Sequence, residues 1–484
     1  MKRILTIALI AVFALGAFAS AQAATEVKMT GDARIYGVFF ANHNFTGWNQ
    51  ASYSSATRWT GAGTRTEDRF QIWERFRLRS DFVANEAVKF RLGIKVEDTW
   101  GHGTLTAANP EVSIAVYQAY LQFKLPNCDT EITAGLQDID LPQSKLFYSS
   151  PVFGGDRMAA LTVSTPLIDD TLSLLAGFGR LIDTNRTYDT TTTQVADEFD
   201  AYFLALPITL DGFKITPWGM LAVAGDSANY WSTGFGQNLV SAGTWAAPSL
   251  WKNDQNAYWW AGGAFEITAL DPVKFYADVI YGAGAQSDRK KSKRQGWFID
   301  AGVEYTGWDV LTPQLFGWWS TGEDGSTRNG SERMPTIRPN WGAGNSFLFD
   351  TSQELAKEGN MGVAPVGNWG LGASLNNMSF LEKLTHRLTF TYVRGNNDAK
   401  ALRYLNTLLG SNPYFTMGRD LTTQEYVLGV NLDTKYMIYE NLAAVLETGW
   451  AHGEFQSSVW GHRLAAKSRD GDAWKVAFGL TYKF

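Results

Sequence analysis

Apolar and polar positions alternate with a period of two through most of the chain. In the last segment Trp474, Val476, Phe478, Leu480, Tyr482 and Phe484 occupy one face, while Lys475, Ala477, Gly479, Thr481 and Lys483 occupy the other. Between residues 69 and 83, Phe70, Ile72, Phe76, Leu78 and Phe82 alternate with Arg69, Gln71, Arg75, Arg77, Arg79 and Asp81. Val88, Phe90, Leu92, Ile94 and Val96 oppose Lys89, Arg91, Lys95 and Glu97 in the same way, and residues 297–305 and 426–432 repeat the pattern. A strand with one greasy and one charged face separates two different solvents. These segments reach the ~9 to 11 residues that a tilted membrane strand needs, whereas strands of soluble sheets average ~5 to 6.

Connection lengths alternate as well. Short turns at Asn85-Glu86, 126–129, Asp169-Asp170, Asp211-Gly212, Asp271-Pro272 and Gly307-Trp308 are interleaved with long polar, glycine-rich segments. The long segments lie near 41–68, 99–111, 141–157, 184–198, 225–256, 285–296, 321–366, 395–421 and 453–472. Nine long loops predict eighteen strands, near 26–40, 69–84, 87–98, 112–125, 130–140, 158–166, 171–183, 199–210, 213–224, 257–270, 273–284, 297–306, 309–320, 367–377, 384–394, 422–434, 442–452 and 473–484. Sixteen is the alternative count, because residues 199–224 alternate weakly and contain Pro207 and Pro217. An open sheet edge in lipid would strand amide groups at several kcal/mol each, so the strands must close into an antiparallel, all-β transmembrane barrel. Tight turns on one side and large loops on the other are the pattern of bacterial barrels.

The first residues read differently. Lys2 and Arg3 precede an apolar run from Ile4 to Ala19, and Ala21-Gln22-Ala23 has the small-x-small form of a signal-peptidase site. That run is too short for a ~30 Å hydrocarbon core, so residues 1–23 are expected to be a removed export signal and 24–484 a single barrel domain. The 484-residue chain has 19% charged residues and a formal net charge of −6, which becomes more negative once Lys2 and Arg3 are lost. An acidic exported protein is not a nucleic-acid partner.

Aromatic residues (14%) include Trp259-Trp260, Trp297, Tyr305, Trp308, Trp318-Trp319, Trp450, Trp474 and Tyr482, mostly toward predicted strand ends. They are expected to form the interfacial girdle of a membrane barrel.

The strongest polar constellation is basic. Arg75, Arg77 and Arg79 share one strand face, and the next strand adds Lys89, Arg91 and Lys95 on the matching face. A dry core would not tolerate so many like charges, so a water-filled lumen is their expected place. Asp138 and Asp140 are expected as lumen carboxylates, with calcium binding as the less favoured reading. The run Arg289, Lys290, Lys291, Lys293, Arg294 falls in a predicted outer loop, where it would meet lipopolysaccharide phosphates. Histidines at 43, 102, 386, 452 and 462 are scattered. No nucleophile elbow, zincin motif, phosphate loop or zinc spacing is present, so neither an enzymatic activity, a metal nor a cofactor is expected. Cys128, the single cysteine, has no partner in the chain and sits in a predicted turn.

On these residues the chain resembles the trimeric outer-membrane porins, and in overall pattern the homotrimeric porin family of sulfate-reducing bacteria. The terminal Phe484 looks like the end signal of outer-membrane barrels, and Pro151-Val152-Phe153-Gly154-Gly155-Asp156 is similar to the P-x-F-G-G-D of general porins. The resemblance implies that this third loop folds into the barrel as a constriction, with Asp156 as the matching acid, and that the chain forms a homotrimer. General porins carry a glutamate after the proline and another acid a few positions before it. Here those places hold Val152 and the uncharged Tyr148-Ser149-Ser150, which implies weaker cation preference. The expectation is therefore a porin passing small hydrophilic solutes and ions. A constriction of Pro151, Phe153, Gly154, Gly155 and Asp156 would stand opposite a basic wall of Arg75, Arg77, Arg79, Arg91 and Lys95. A pore specific for an anion or sugar is the alternative, and a barrel hydrolase or a structural surface protein the alternatives of another class.

Overall fold

The structure, a computed structural model, describes residues 25–42, 45, 69–101, 112–183, 196–228, 230, 236–241, 256–284, 292–326, 328–343, 346–349, 354–355, 360–408, 414–469 and 471–484. Strands dominate. In chain order they are β1 (Glu26–Ala41), β2 (Arg69–Asn85), β3 (Val88–Thr99), β4 (Ala115–Lys124), β5 (Glu131–Ile139), β6 (Asp156–Ile168), β7 (Leu172–Asp183), β8 (Glu198–Ala205), β9 (Ile208–Leu210) and β10 (Phe213–Ala224). The second half supplies β11 (Asn256–Ile267), β12 (Val273–Gly284), β13 (Arg294–Tyr305), β14 (Thr312–Ser320), β15 (Asn368–Leu381), β16 (Leu384–Gly395), β17 (Tyr426–Tyr439), β18 (Leu442–Glu454) and β19 (Ala473–Lys483).

Neighbouring spans pair antiparallel, and β1 pairs with both β2 and β19, from Asp32↔Lys483 to Ala41↔Trp474, which closes the sheet. β8 and β9 form one span interrupted at Leu206-Pro207, since both pair with β10 and proline has no amide hydrogen for the ladder. The barrel therefore has eighteen spans, as the loop arithmetic requires. At the seam the Phe484 amide donates to Gly31 O (3.1 Å) and the Gly31 amide to Phe484 O (2.8 Å).

The alternation sorts as expected. Ile35, Phe39, Phe70, Phe76, Phe82, Phe478 and Leu480 are exposed around the outside, while Tyr36, Val38, Phe40 and Ala477 are buried inside. Aromatic rings contact one another around the long-loop rim: Trp259–Tyr281–Trp297 at 5.3 and 4.8 Å, and Trp369–Tyr392–Tyr426 at 5.7 Å each. The expected girdle needs one correction. Trp259 and Trp319 face outward, but Trp260 and Trp318 are buried inside, because adjacent residues of a strand must point to opposite faces.

The interior divides into two zones. Toward the long loops it is packed with aromatic and aliphatic side chains, including Phe147, Phe298, Phe316, Trp318, Trp341, Phe347 and Phe349. Toward the short turns it opens into a polar vestibule of about 1330 Å³.

Candidate pore and constriction

The third loop, residues 140–155, does fold into the barrel. Its base is tied by the Leu141 amide donating to Phe153 O (3.2 Å), and Pro151, Val152 and Phe153 are all buried. Gly155 adopts a positive φ of 56°, and a Cβ on Gly154 would lie 2.2 Å from Ser149 Oγ. Both glycines are thus demanded by the reversal.

Its partner was not foreseen. Described residues of the seventh loop, between 321 and 367, also turn inward, and those from 337 to 342 form a ladder with the third loop: Asn340 N to Ser150 O (3.0 Å), Ile337 N to Val152 O (2.9 Å), and Tyr148 and Gly342 exchanging both bonds (2.9 and 3.1 Å). Val152 is completely buried under this layer, which is why an apolar residue suits the position where general porins carry an acid. Asp156 is the first residue of β6 and forms an ion pair with Arg338 of the seventh loop.

Wall contacts hold both loops. Ser144 N and Oγ donate to the Asp278 carboxyl on β12 (2.8 and 2.5 Å), and Trp341 Nε1 donates to Asp300 on β13 (2.7 Å). Further round the barrel, Lys475 Nζ donates to Ser346 O (2.8 Å), Ser346 Oγ to Asp433 (2.6 Å), and Leu355 N to Glu447 (2.9 Å). Lys475 and Glu447 themselves form a buried ion pair at 2.7 Å. Described residues of the seventh loop therefore touch two separate parts of the wall, β13 and β17–β19.

Leu146, Tyr148, Gly155 and Asn340 border the vestibule from these loops. Arg75, Arg77 and Arg79 line it, together with Arg34 on the neighbouring strand. All three arginines of β2 converge on Asp32, at 3.1, 2.9 and 3.7 Å. Arg157, Arg387, Lys435 and Lys483 add further cations, so the lining holds eight cationic side chains against five carboxylates: Asp32, Glu304, Glu354, Asp433 and Glu447.

The rest of the expected basic wall is placed elsewhere. Arg91 is clamped to Asp81 by two 2.6 Å bonds and Lys95 is paired with Glu97, and neither borders the vestibule. Asp138 likewise stays off the vestibule lining, accepting from Gln118 Nε2 (2.8 Å) and meeting Arg157 at 3.5 Å. Asp140 accepts from Ser149 Oγ (2.9 Å) inside the third loop. Burial pushes its carboxyl up to about 6, against the opposing pull of the Ser149 hydroxyl and the amides of Ser150 and Gly155.

Arg294 belongs to β13 rather than to an outer basic loop. It is buried, and its guanidinium donates to Val240 O, Arg333 O, Met334 O and Tyr414 Oη. Lys293 is exposed, and Arg289, Lys290 and Lys291 lie outside the described residues. His386 meets Thr434 Oγ1 and His452 meets Asp472, each at 2.8 Å, in separate places on the wall.

No family model and no curated protein matches the chain. Solved structures do. The outer membrane protein OprD from Pseudomonas aeruginosa superposes with a TM-score of 0.50 at 12% identity, covering 96% of this chain and 97% of that one. Pseudomonas aeruginosa OccK11 (OpdR) gives 0.50 at 10% identity over 95% and 96%, and OccK8 (OprE) of the same organism 0.50 at 10% over 95% and 98%. At such identities the likeness is one of fold, and it extends over nearly the whole length of both chains: this chain folds as a closed antiparallel barrel like that of OprD.

Proposed function

We propose that this protein is a porin of the bacterial outer membrane, through which small hydrophilic solutes and ions diffuse passively. One observation carries the reading: a closed barrel with an apolar outer belt encloses a charged, water-accessible vestibule beneath two inward-folded loops. A soluble barrel would have no reason to expose Phe70, Leu480 and their neighbours all round, and a merely structural barrel would have no reason to keep arginines in its bore. The fold shared with OprD supports the location.

The excess of cations over carboxylates favours anions among permeating solutes, which keeps the anion-specific pore as the second reading. Single-channel recording in planar bilayers, with reversal potentials under a salt gradient, is the test. No conductance from folded protein would overturn the proposal, and block by one class of anion at low concentration would favour the specific pore.

The sequence resemblance supports assembly as a homotrimer, which cross-linking in detergent and native mass spectrometry would read directly. It equally supports removal of residues 1–23, read by N-terminal sequencing of the mature protein. Contact with lipopolysaccharide belongs to the same proposal, resting on the basic residues near the long-loop rim, of which Lys293 is exposed.

A further inference from the structure

Where the third and seventh loops pair, four residues border the vestibule: Leu146, Tyr148 and Gly155 from the third and Asn340 from the seventh. None of the four is charged. Glu354, farther along the seventh loop, also lines the cavity but is engaged by Lys435 of β17. The paired loops therefore offer the water an aromatic ring, an aliphatic side chain and an amide, while the charges stand on the walls.

These groups are held in place. Tyr148 is 38% exposed, and its backbone exchanges two hydrogen bonds with Gly342. The Asn340 backbone is fixed in the same ladder by its bond to Ser150 O. Leu146 packs against Gly302 of β13, where a side chain would collide with it. Gly155 brings the polar groups together. A Cβ there would lie 3.0 Å from Asn340 Nδ2 and 3.7 Å from the Tyr148 hydroxyl, so both converge on the space that the missing side chain leaves open. Ser149 Oγ, the remaining neighbour at 3.4 Å, already donates to Asp140. The Asn340 side-chain amide and the Tyr148 hydroxyl have no hydrogen-bond partner among the described residues, and both residues line the cavity.

An amide and a phenol hydroxyl supply donors and acceptors, and a tyrosine ring beside a leucine supplies an apolar face. A solute that matches both has hydroxyl groups round its rim and C–H groups on a rigid face, which describes a pyranose. An anion is drawn instead to the arginines of the wall, and an open-chain polyol has the hydroxyls without the face. We propose that Tyr148 and Asn340 form a subsite for a neutral sugar ring at the loop end of the vestibule, with Tyr148 stacking on the ring and Asn340 hydrogen-bonding its hydroxyls. The vestibule, at about 1330 Å³, exceeds the ~300 to 1,000 Å³ of common small-molecule pockets, so a ring bound there leaves room for water and for its own departure.

The inference deepens the porin reading, on which it rests, and can fail separately from it. Full-length protein in planar bilayers is titrated with methyl α-D-glucopyranoside and, in parallel, with sorbitol, an open-chain polyol of similar size. The glucoside should interrupt the current at concentrations where sorbitol does not. Tyr148→Ala and Asn340→Ala should each raise the concentration for half-block by roughly three- to tenfold, the weight of one ring contact or one hydrogen bond. Tyr148→Phe, which keeps the ring, should retain most of the block. Heat-modifiable migration on gels would first verify that each variant folds. Saturation-transfer NMR on the protein in detergent reads the same contact without any current: the ring protons of the glucoside should receive saturation from the wild type and lose most of it with Tyr148→Ala. No block by the glucoside in a conducting protein, equal block by sorbitol, or block that neither alanine variant weakens would overturn the proposal. Saturation transfer that depends on Tyr148 in a protein carrying no current would overturn only the porin reading.

Discussion

Arg75 donates to Asp32 at 3.1 Å across the β1–β2 pair, and Arg77 and Arg79 crowd the same carboxylate. One anion cannot neutralise three guanidinium groups, so this side of the vestibule keeps a positive field facing water.

Two substitutions read that field with opposite signs. Replacing Arg75, Arg77 and Arg79 together by glutamine should move the reversal potential toward cations, and Asp32→Asn should move it toward anions. Both shifts should shrink at high salt, since screening reaches within ~8 to 10 Å at physiological ionic strength. Equal reversal potentials in wild type and the triple variant would show that the stripe lies away from the conducting path.

Facing is tested on the last strand. Leu480→Arg puts a cation in the lipid belt at a cost of ~2 to 4 kcal/mol near mid-bilayer, whereas Thr481→Arg places it in the vestibule, where it stays hydrated. Folded yield after refolding into lipid should drop only for the first. Gly479 would be a poor control despite facing inward, because a Cβ there lies 2.3 Å from Ile35 O.

Asp140 gives a pH dependence on the acid side. Its pKa of about 6 lies above the unfolded value of ~3.9, so the folded chain holds the extra proton between the two. That contribution to stability is present below about pH 4, is lost as the pH rises through 6, and changes no further above. Ionisation over the same window adds a negative charge to the third loop. The reversal potential should therefore drift toward cations from about pH 5 to 7, and Asp140→Asn should abolish the drift.

The anchors of the seventh loop should differ in strength. Glu447→Ala removes the carboxylate partner of the fully buried Lys475 and the acceptor of the Leu355 amide, a change of ~3 to 5 kcal/mol on the pattern of broken buried pairs. Glu354→Gln loosens a half-exposed pair with Lys435, worth ~0 to 1 kcal/mol. Thermal unfolding in detergent micelles would rank them, and comparable melting points for both would contradict the geometry.

Orientation follows from loop length. A cysteine at Gly325, exposed in the seventh loop, should react with an impermeant reagent on intact cells, and one at Asp211, in a short turn, should react only after lysis. The reverse result would invert the barrel in the membrane.

The strands were legible because lipid and water impose a period of two on each of them. The same parity that revealed Arg75 also marks Arg34 as an inward residue, a signal available in the sequence but eclipsed by the louder triplet. Adjacent tryptophans misled for the converse reason: parity sends Trp259 and Trp260 to opposite solvents, and composition alone does not. Pairing of charges was less accessible. Arg91 with Asp81 is a cross-strand register fact, visible only once β2 and β3 are aligned. The seventh loop left no periodic trace at all, because its contacts join residues far apart in the chain, from Trp341 with Asp300 to Ser346 with Lys475.

Because described residues of the seventh loop are fastened to two separate parts of the wall, Trp341 to β13 and Ser346 and Leu355 to β17–β19, they act as a strut across the corner between those strands. Any change in the angle between those parts of the wall must load the hydrogen bonds to Asp300, Asp433 and Glu447, so the shape of the wall and the placement of the loop are mechanically linked.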